Sequence, residues 1–167
     1  ELILNLGTCG GIEGRITRMA IVLVEKTTVY DIQEQMSDPE EAVRFYETCL
    51  DLSWLGSQRL PDGVERGTMF SADRDLLASD VDWLVARHDA RVVDWESASI
   101  AWVCQRNRVP LVILRGVSDL VNRSSGETYG NMALYESNTR KVMQILAGQL
   151  SWWLESYRSA RTFISPV

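Results

Sequence analysis

Residues 93–119 decide the fold, and they read VDWESASIAWVCQRNRVPLVILRGVSD. Residues 90–95 have the composition of a β-strand, residues 96–106 have the pattern of a helix, and residues 109–117 form a second, strongly apolar strand. The connections between these predicted elements are short. A strand, a helix and a strand in close succession are typical of an α/β protein.

The rest of the chain adds predicted strands and helices around this segment. An apolar strand at residues 2–6 leads into GTCGG at residues 7–11, which we interpret as a turn because glycine accepts positive φ angles. Residues 20–30 are rich in β-branched side chains and fit two strands or one bent strand. The other predictions are a surface loop at 57–67, a short strand at 68–71, an amphipathic helix at 77–85 and a long final helix at 142–154.

A further helix is predicted to begin at Asp38 and Pro39. Aspartate is a favoured N-cap residue, and proline is favoured at the first helical position. Helical spacing then places four residues on one face, namely Ala42, Phe45, Tyr46 and Cys49.

Length and composition indicate one globular domain spanning residues 1–167, with 46% hydrophobic and 24% charged residues. The 17 Lys and Arg against 23 Asp and Glu give a net charge of -6, which argues against a nucleic-acid partner. No apolar run approaches the roughly 18 residues of a membrane span, and no signal-peptide pattern is recognisable. We therefore expect a cytoplasmic protein with no membrane partner.

The cysteines and the single histidine give no sign of metal or disulfide chemistry. Cys9, Cys49 and Cys104 are widely spaced and form no CxxC pair, so we expect reduced thiols, no metal site and no cofactor. His88 follows a predicted helix, where the helix dipole favours a basic residue, and this explains it better than a catalytic role.

Three segments follow predicted strands, namely residues 7–11, residues 94–96 and residues 118–119. The carboxyl ends of strands are where α/β sheets bind ligands. Taken singly, each segment also has a structural explanation: a plain turn for the glycines, a first-turn position for Glu96, and an N-cap or turn for Asp119.

Taken together, the segments resemble those of the methylthioadenosine/S-adenosylhomocysteine nucleosidases and their purine nucleoside phosphorylase relatives. That family has a Met-Glu-x-x-Ala helix, then a strand ending Arg-x-x-Ser-Asp, and an earlier Gly-Ser/Thr-x-Gly-Gly turn that residues 5–11 resemble. The resemblance covers about residues 2–154, with residues 31–62 hard to match. It implies a three-layer α/β/α fold with a mixed, twisted central sheet, and a homo-oligomer with active sites near subunit interfaces.

The resemblance implies catalytic and base-binding roles at the end of the motif. Asp119 matches the acid that hydrogen-bonds the purine and helps to protonate the leaving base, and a neutral adenine departs more easily than its anion. Ser118 would orient Asp119, and Arg115 would make a structural ion pair. Phe70, with the neighbouring Met69, lies where the family places an aromatic against the purine, although a core position is an equal alternative for Phe70.

Other residues match the part of the family site that surrounds the sugar. Glu96 matches the carboxylate that accepts hydrogen bonds from both ribosyl hydroxyls, and its charge favours the oxocarbenium character of the transition state. Trp95 replaces the family's Met and would lie near the ribose and the 5' substituent, or in the core. Thr8, Cys9 and Gly10 would place main-chain groups beside the sugar or the nucleophile.

The residue at position 5 distinguishes hydrolysis from phosphorolysis, the two reactions that the resemblance implies. The related phosphorylases have Arg at this position, where its fork binds phosphate, so Asn5 favours water as the nucleophile. An aspartate at position 119 favours 6-amino purines. We expect hydrolysis of an adenine nucleoside such as methylthioadenosine or S-adenosylhomocysteine, with phosphorolysis as one alternative.

A non-catalytic nucleoside-binding module is another alternative. The chain opens on a strand without an initiating Met, and the resemblance implies that the family's early strands, and its Glu that activates water, are missing. We therefore expect an N-terminally incomplete domain.

Overall fold

The computed structural model describes residues 1–164 and the side chains of residues 1–160. Short 3-10 turns lie at Ser53–Leu55 and Ala78–Asp80. The strands and helices are, in chain order, β1 (Ile3–Ile12), β2 (Ile21–Val29), α1 (Pro39–Tyr46), β3 (Thr48–Cys49), β4 (Val64–Ser71), α2 (Val81–His88), β5 (Val92–Asp94), α3 (Ser97–Arg106), β6 (Leu111–Val121) and α4 (Met132–Ile164).

The six strands form one mixed sheet in the order β3-β2-β4-β5-β1-β6. The pairs β1–β6, β2–β4 and β4–β5 are parallel, whereas β1–β5 and β2–β3 are antiparallel. An additional antiparallel pairing of β2 with β6 closes the sheet on itself. The predicted mixed central sheet is confirmed, but β5 and β6 are not neighbours: β1 lies between them, and they run in opposite directions.

Helices cover both faces of the sheet, as the three-layer prediction requires. Alternate residues of a strand point to opposite faces, so each strand supplies side chains to two cores. On the α3 face, Ala101 and Cys104 pack with a set of strand residues: Val22, Val24, Ile113 and Val117. On the α4 face, Val142, Leu146 and Trp153 pack with Ile21, Leu23, Val112 and Leu114.

The glycine-rich segment is not a turn, which corrects our prediction. Residues 7–11 lie inside β1, and the chain turns only at Gly14, where φ is 78°. Two of these glycines, Gly7 and Gly11, are needed for close packing instead. A Cβ on Gly11 would lie 2.7–2.9 Å from Ile16, Val117 and Leu120, and a Cβ on Gly7 would overlap Arg115 Nη1.

Several element boundaries also differ from the predictions. β6 continues pairing with β1 as far as Val121, so Asp119 lies within a strand and is neither an N-cap nor a turn residue. The predicted strand region at residues 20–30 forms one strand, β2 (Ile21–Val29), with a register shift between Val24 and Lys26, which is the bent-strand alternative. β4 begins at Val64, inside the predicted loop, because its first residues pair with β2.

Helix α1 has the predicted start but a different end. The Asp38 side chain accepts a hydrogen bond from the Glu40 backbone N–H at 2.9 Å, and Pro39 is the first helical residue. The helix ends at Tyr46 because the next residues pair with β2 as strand β3, so Cys49 does not share its face. None of the α1 side chains is buried.

Two glycines at different depths give a stability prediction. A Cβ on Gly116 would overlap Val142 Cγ1 and lie 3.0 Å from Ile21 Cδ1, so Gly116→Ala should lower the free energy of unfolding by about 1–3 kcal/mol. Gly148 lies in α4 with nothing within 4 Å of such an atom, so Gly148→Ala should raise that free energy by up to about 1 kcal/mol. Urea denaturation of both variants checks the contrast, and equal effects would contradict this packing.

Candidate active site

A cavity of about 740 Å³ lies where β1, β6 and the end of β5 meet. This volume is in the range of small-molecule sites. It is lined by seven of the residues expected to form the site, namely Thr8, Cys9, Gly10, Trp95, Glu96, Ser118 and Asp119. The structure therefore brings most of the predicted site together. Gly10, Gly11 and Asp119 lie within the last three residues of β1 and β6 rather than beyond the ends of these strands.

A β-bulge brings Ser118 and Asp119 to this level of the sheet. Cys9 pairs with Val117 and Gly10 pairs with Asp119, so Ser118 is an extra residue on β6. A bulge redirects side chains within a strand without ending it. Strand β5 reaches the same level because it is antiparallel to β1, with Val93 opposite Gly10.

The carboxylate of Asp119 is held in place by its neighbour. Ser118 Oγ donates a hydrogen bond of 2.6 Å to Asp119 Oδ1 and lies 3.3 Å from the Cys9 carbonyl oxygen. The buried Asn138 side chain, on α4, donates to the Ser118 carbonyl at 2.8 Å. Asp119 is 8% exposed at the cavity wall, and the bond from Ser118 orients its carboxylate there.

A second buried carboxylate, Asp94, lies in the cavity wall, and its side chain is only 2% exposed. Its Oδ1 accepts from Ser71 Oγ at 2.6 Å and from the Ser97 N–H at 3.2 Å, and its Oδ2 accepts from Arg115 Nε at 2.8 Å and from the Ser97 hydroxyl. The Arg115 side chain is only 6% exposed. The structural ion pair expected for Arg115 is therefore present, with Asp94 as its partner.

Glu96 and Trp95 form the outer wall of the cavity. Glu96 is the N-cap of α3 rather than its first helical residue, and its side chain is 61% exposed. Its Oε2 lies 3.6 Å from Arg115 Nη2. Trp95 is 51% exposed, so it is not a core residue.

Phe70 and Met69 lie outside this group. Both are buried, and neither lines the cavity. The Phe70 ring packs 5.4 Å from the His88 ring, at the end of α2. Burial, followed by the charge of Arg87, lowers the pKa of His88. A base-binding role for Phe70 and Met69 stays a prediction.

The opposite wall of the cavity is formed by residues that the sequence did not indicate. Tyr129, Met132 and Tyr135 line it and are partly exposed. The Tyr129 hydroxyl donates to the Leu76 carbonyl, and burial raises the Tyr129 pKa, with the charges of Asp75 and Asp119 adding to the effect. Tyr129 lies in a loop and Met132 and Tyr135 lie in the first turn of α4, and none of them belongs to a motif, so only the folded chain reveals this wall.

The three thiols should differ in reactivity. Burial raises the pKa of Cys9 well above its usual value, and the negative charge of Asp94 adds to this more than Arg115 offsets it. Because the thiolate is the reactive form, iodoacetamide at pH 8 should modify the exposed Cys49 and leave Cys9 and the buried Cys104 largely unmodified. Peptide mass spectrometry checks this, and rapid alkylation of Cys9 in the folded protein would contradict it.

Within residues 1–164, no group of three or more His, Cys, Asp or Glu side chains is placed to hold a metal ion. None of the helices in this part of the chain is both long and apolar enough to cross a membrane.

Comparison with known proteins places these features in context. The family model described as the phosphorylase superfamily matches residues 1–148. The chain is 24% identical over 157 residues to 5'-methylthioadenosine nucleosidase of Arabidopsis thaliana, covering 89% of this chain and 58% of the relative. It is 30% identical over 95 residues to aminodeoxyfutalosine nucleosidase of Helicobacter pylori, covering 54% of this chain and 41% of the relative. The chain thus spans about half the length of these curated relatives.

Solved structures show the same fold. The apo Arabidopsis thaliana 5'-methylthioadenosine nucleosidase aligns with a TM-score of 0.62 at 22% identity, over 88% of this chain and 62% of that one. Futalosine hydrolase of Helicobacter pylori aligns with a TM-score of 0.64 at 20% identity, over 87% of this chain and 67% of that one.

Proposed function

Because the chain belongs to the phosphorylase superfamily, we propose that it hydrolyses the N-glycosidic bond of an adenine nucleoside. The observation that carries this proposal is the Ser118–Asp119 pair, which faces the same cavity as Glu96. An oriented acid and a second carboxylate in one cavity can supply two functions in the cleavage of a nucleoside, protonation of the base and stabilisation of the positive charge on the sugar. The names of the relatives support the same reaction.

In the proposed mechanism, Asp119 supplies a proton to the departing base. The Ser118 hydroxyl occupies Oδ1 and leaves Oδ2 available for the purine. A Cβ on Gly10 would lie 3.9 Å from Oδ2, so the bare glycine keeps the approach to this oxygen open. Protonating the base lets it leave as neutral adenine, which lowers the barrier to breaking the glycosidic bond. Water then forms the new bond to C1' and releases a proton to solvent, and Asp119 regains a proton from solvent for the next cycle.

Glu96 binds the ribose in this mechanism. Its two oxygens can accept hydrogen bonds from the vicinal 2' and 3' hydroxyls. Its negative charge also stabilises the positive charge that develops on the sugar as the bond breaks. Glu96 and Asp119 therefore act on opposite halves of the nucleoside.

Water is the better nucleophile for this site than phosphate. Asn5 lines the cavity. The family resemblance implies that a phosphorylase would have a phosphate-binding arginine at this position. Arg115 also lines it, but its Nε is already bonded to Asp94. An anion such as phosphate is bound best by a guanidinium whose fork is free. Phosphorolysis and non-catalytic nucleoside binding are the alternatives that the test must separate.

The substrate that we propose is methylthioadenosine or S-adenosylhomocysteine, in keeping with the substrates that the relatives' names state. Trp95, Met132 and Tyr135 offer partly exposed apolar surface for the 5' substituent. We propose further that the chain forms a single nucleoside phosphorylase-like domain, acts as a cytoplasmic homo-oligomer, and binds neither nucleic acid nor membranes.

Free adenine released from methylthioadenosine, measured with and without phosphate, tests the proposal. Release that does not depend on phosphate supports hydrolysis. Strict dependence on phosphate would establish a phosphorylase instead. Nucleoside binding can be measured by tryptophan fluorescence, because Trp95 lines the cavity. Binding without release of adenine would identify a non-catalytic module.

A further inference from the structure

The Asp94 cluster, consisting of Ser71, Asp94, Ser97 and Arg115, is more than a buried ion pair. Its hydrogen bonds fix one side of the guanidinium: Arg115 Nε lies 2.8 Å from Asp94 Oδ2 and 3.0 Å from Ser97 Oγ. Ser71 Oγ bonds Asp94 and also accepts from the Ala98 N–H at 3.0 Å. The cluster thus ties the end of β4, the end of β5 and the start of α3 to β6.

The other side of the guanidinium occupies space that is free because residue 7 is a glycine. Gly7 pairs with Arg115, and a Cβ there would overlap Arg115 Nη1. The guanidinium therefore lies across β1 and can reach toward the cavity. There its Nη2 lies 3.6 Å from Glu96 Oε2.

Glu96 needs such a partner because its side chain is mostly exposed. Among the described residues, Arg115 is the polar group that the structure places beside the Glu96 carboxylate. A solvent-exposed glutamate samples several rotamers, and ordering it when a ligand binds lowers affinity and rate. A cation that is itself held rigidly removes much of that loss.

We propose that Asp94 is a positioning residue for ribose recognition: it fixes Arg115, and Arg115 holds the Glu96 carboxylate in place for the sugar hydroxyls. This rests on the proposed function, in which Glu96 binds the ribose. Asp94 lines the cavity, but its side chain is 2% exposed and both of its oxygens are bonded to Ser71, Ser97 or Arg115, so in this proposal it does not touch the substrate. Its effect on catalysis is transmitted entirely through Arg115 and Glu96.

A double-mutant cycle separates positioning from a general structural role. The variants are Asp94→Asn, Glu96→Gln and the combination, assayed on methylthioadenosine and its 2'-deoxy analogue. The ribo preference is the ratio of kcat/KM for methylthioadenosine to kcat/KM for the 2'-deoxy analogue. Asp94→Asn should reduce this ratio by about tenfold or more, which is the effect of losing one charged hydrogen bond. In the Glu96→Gln background, the same substitution should have little further effect on that preference.

A matched control and a milder variant keep the cycle interpretable. Asp80→Asn changes another buried aspartate paired with an arginine, Arg74, which does not reach the cavity, so it should leave the ribo preference unchanged. If Asp94→Asn does not fold, Ser97→Ala removes the hydroxyl shared by Asp94 and Arg115 and should shift the preference in the same direction.

Nitrogen-15 NMR of the Arg115 Nε–H adds a readout that needs no substrate. Slow exchange of this proton in the wild type, and fast exchange in Ser97→Ala, are expected. Two results would overturn the positioning role alone, if the wild type is active. One is an unchanged ribo preference in a folded Asp94 or Ser97 variant. The other is an effect of Asp94→Asn on this preference that multiplies with the effect of Glu96→Gln. A wild type that neither cleaves nor binds nucleoside would overturn the proposed function, and the positioning role with it.

Discussion

Replacing Asp119 by asparagine is expected to lower kcat for adenine release by about a hundredfold to ten-thousandfold, the usual range for losing a general acid. Asparagine keeps the size of the side chain and can still accept the 2.6 Å hydrogen bond from Ser118 Oγ. It has no acidic proton to give to the base. Nucleoside affinity should therefore be largely retained while turnover is lost.

Stopped assays with radiolabelled methylthioadenosine, together with a fluorescence titration for binding, measure the two effects separately. Asp62→Asn, in an exposed turn, is the control for the chemical change and should behave as the wild type. Ser118→Ala should give a smaller loss of kcat, about tenfold, because only the orientation of the acid is relaxed. Turnover unchanged in Asp119→Asn would remove Asp119 from the mechanism.

Arg115→Met is expected to have the largest effect on stability. It leaves the Asp94 carboxylate, whose side chain is 2% exposed, without its cation. Removing one partner of a buried ion pair costs about 3–5 kcal/mol, because the remaining charge stays out of contact with water. Urea denaturation should show a loss of this size in the free energy of unfolding.

The same substitution at a surface pair is the control. Arg66 bonds Glu25 at 2.7 Å, but the two side chains are 39% and 46% exposed, so Arg66→Met should cost less than about 1 kcal/mol. The contrast tests burial, since both variants lose an arginine bonded to a carboxylate. Similar losses in the two variants would show that Arg115 and Asp94 do not form a buried pair in solution.

The parts of the fold that the sequence predicted well are those in which local signals agree with the tertiary structure. Asp38 and Pro39 predicted the start of α1 because capping depends on a few adjacent residues. The apolar run before Arg115 predicted β6 because strand composition is also a signal carried by adjacent residues. Residues 7–11 misled the interpretation because glycine serves equally in turns and in crowded strands. Only the position of Arg115, 108 residues later than Gly7, shows which applies.

The candidate site was predicted in part. The motif residues that the resemblance indicated line one cavity because the bulge at Ser118 and the antiparallel β5 bring them together. No local pattern encodes either pairing. Asn138 and Tyr129 were missed since they belong to a helix face and a loop without a motif. Asp94 belongs to one of the three segments that follow predicted strands, but its pairing with Arg115 depends on the order of the strands in the sheet.

Hydrolysis in water enriched in oxygen-18 tests the central claim most directly, because it identifies the nucleophile. The account predicts that methylthioadenosine yields adenine and a methylthioribose carrying one oxygen-18 atom at C1, in the presence or absence of phosphate, by mass spectrometry. A sugar 1-phosphate without the heavy isotope would contradict it, as would an enzyme that binds the nucleoside and releases no adenine.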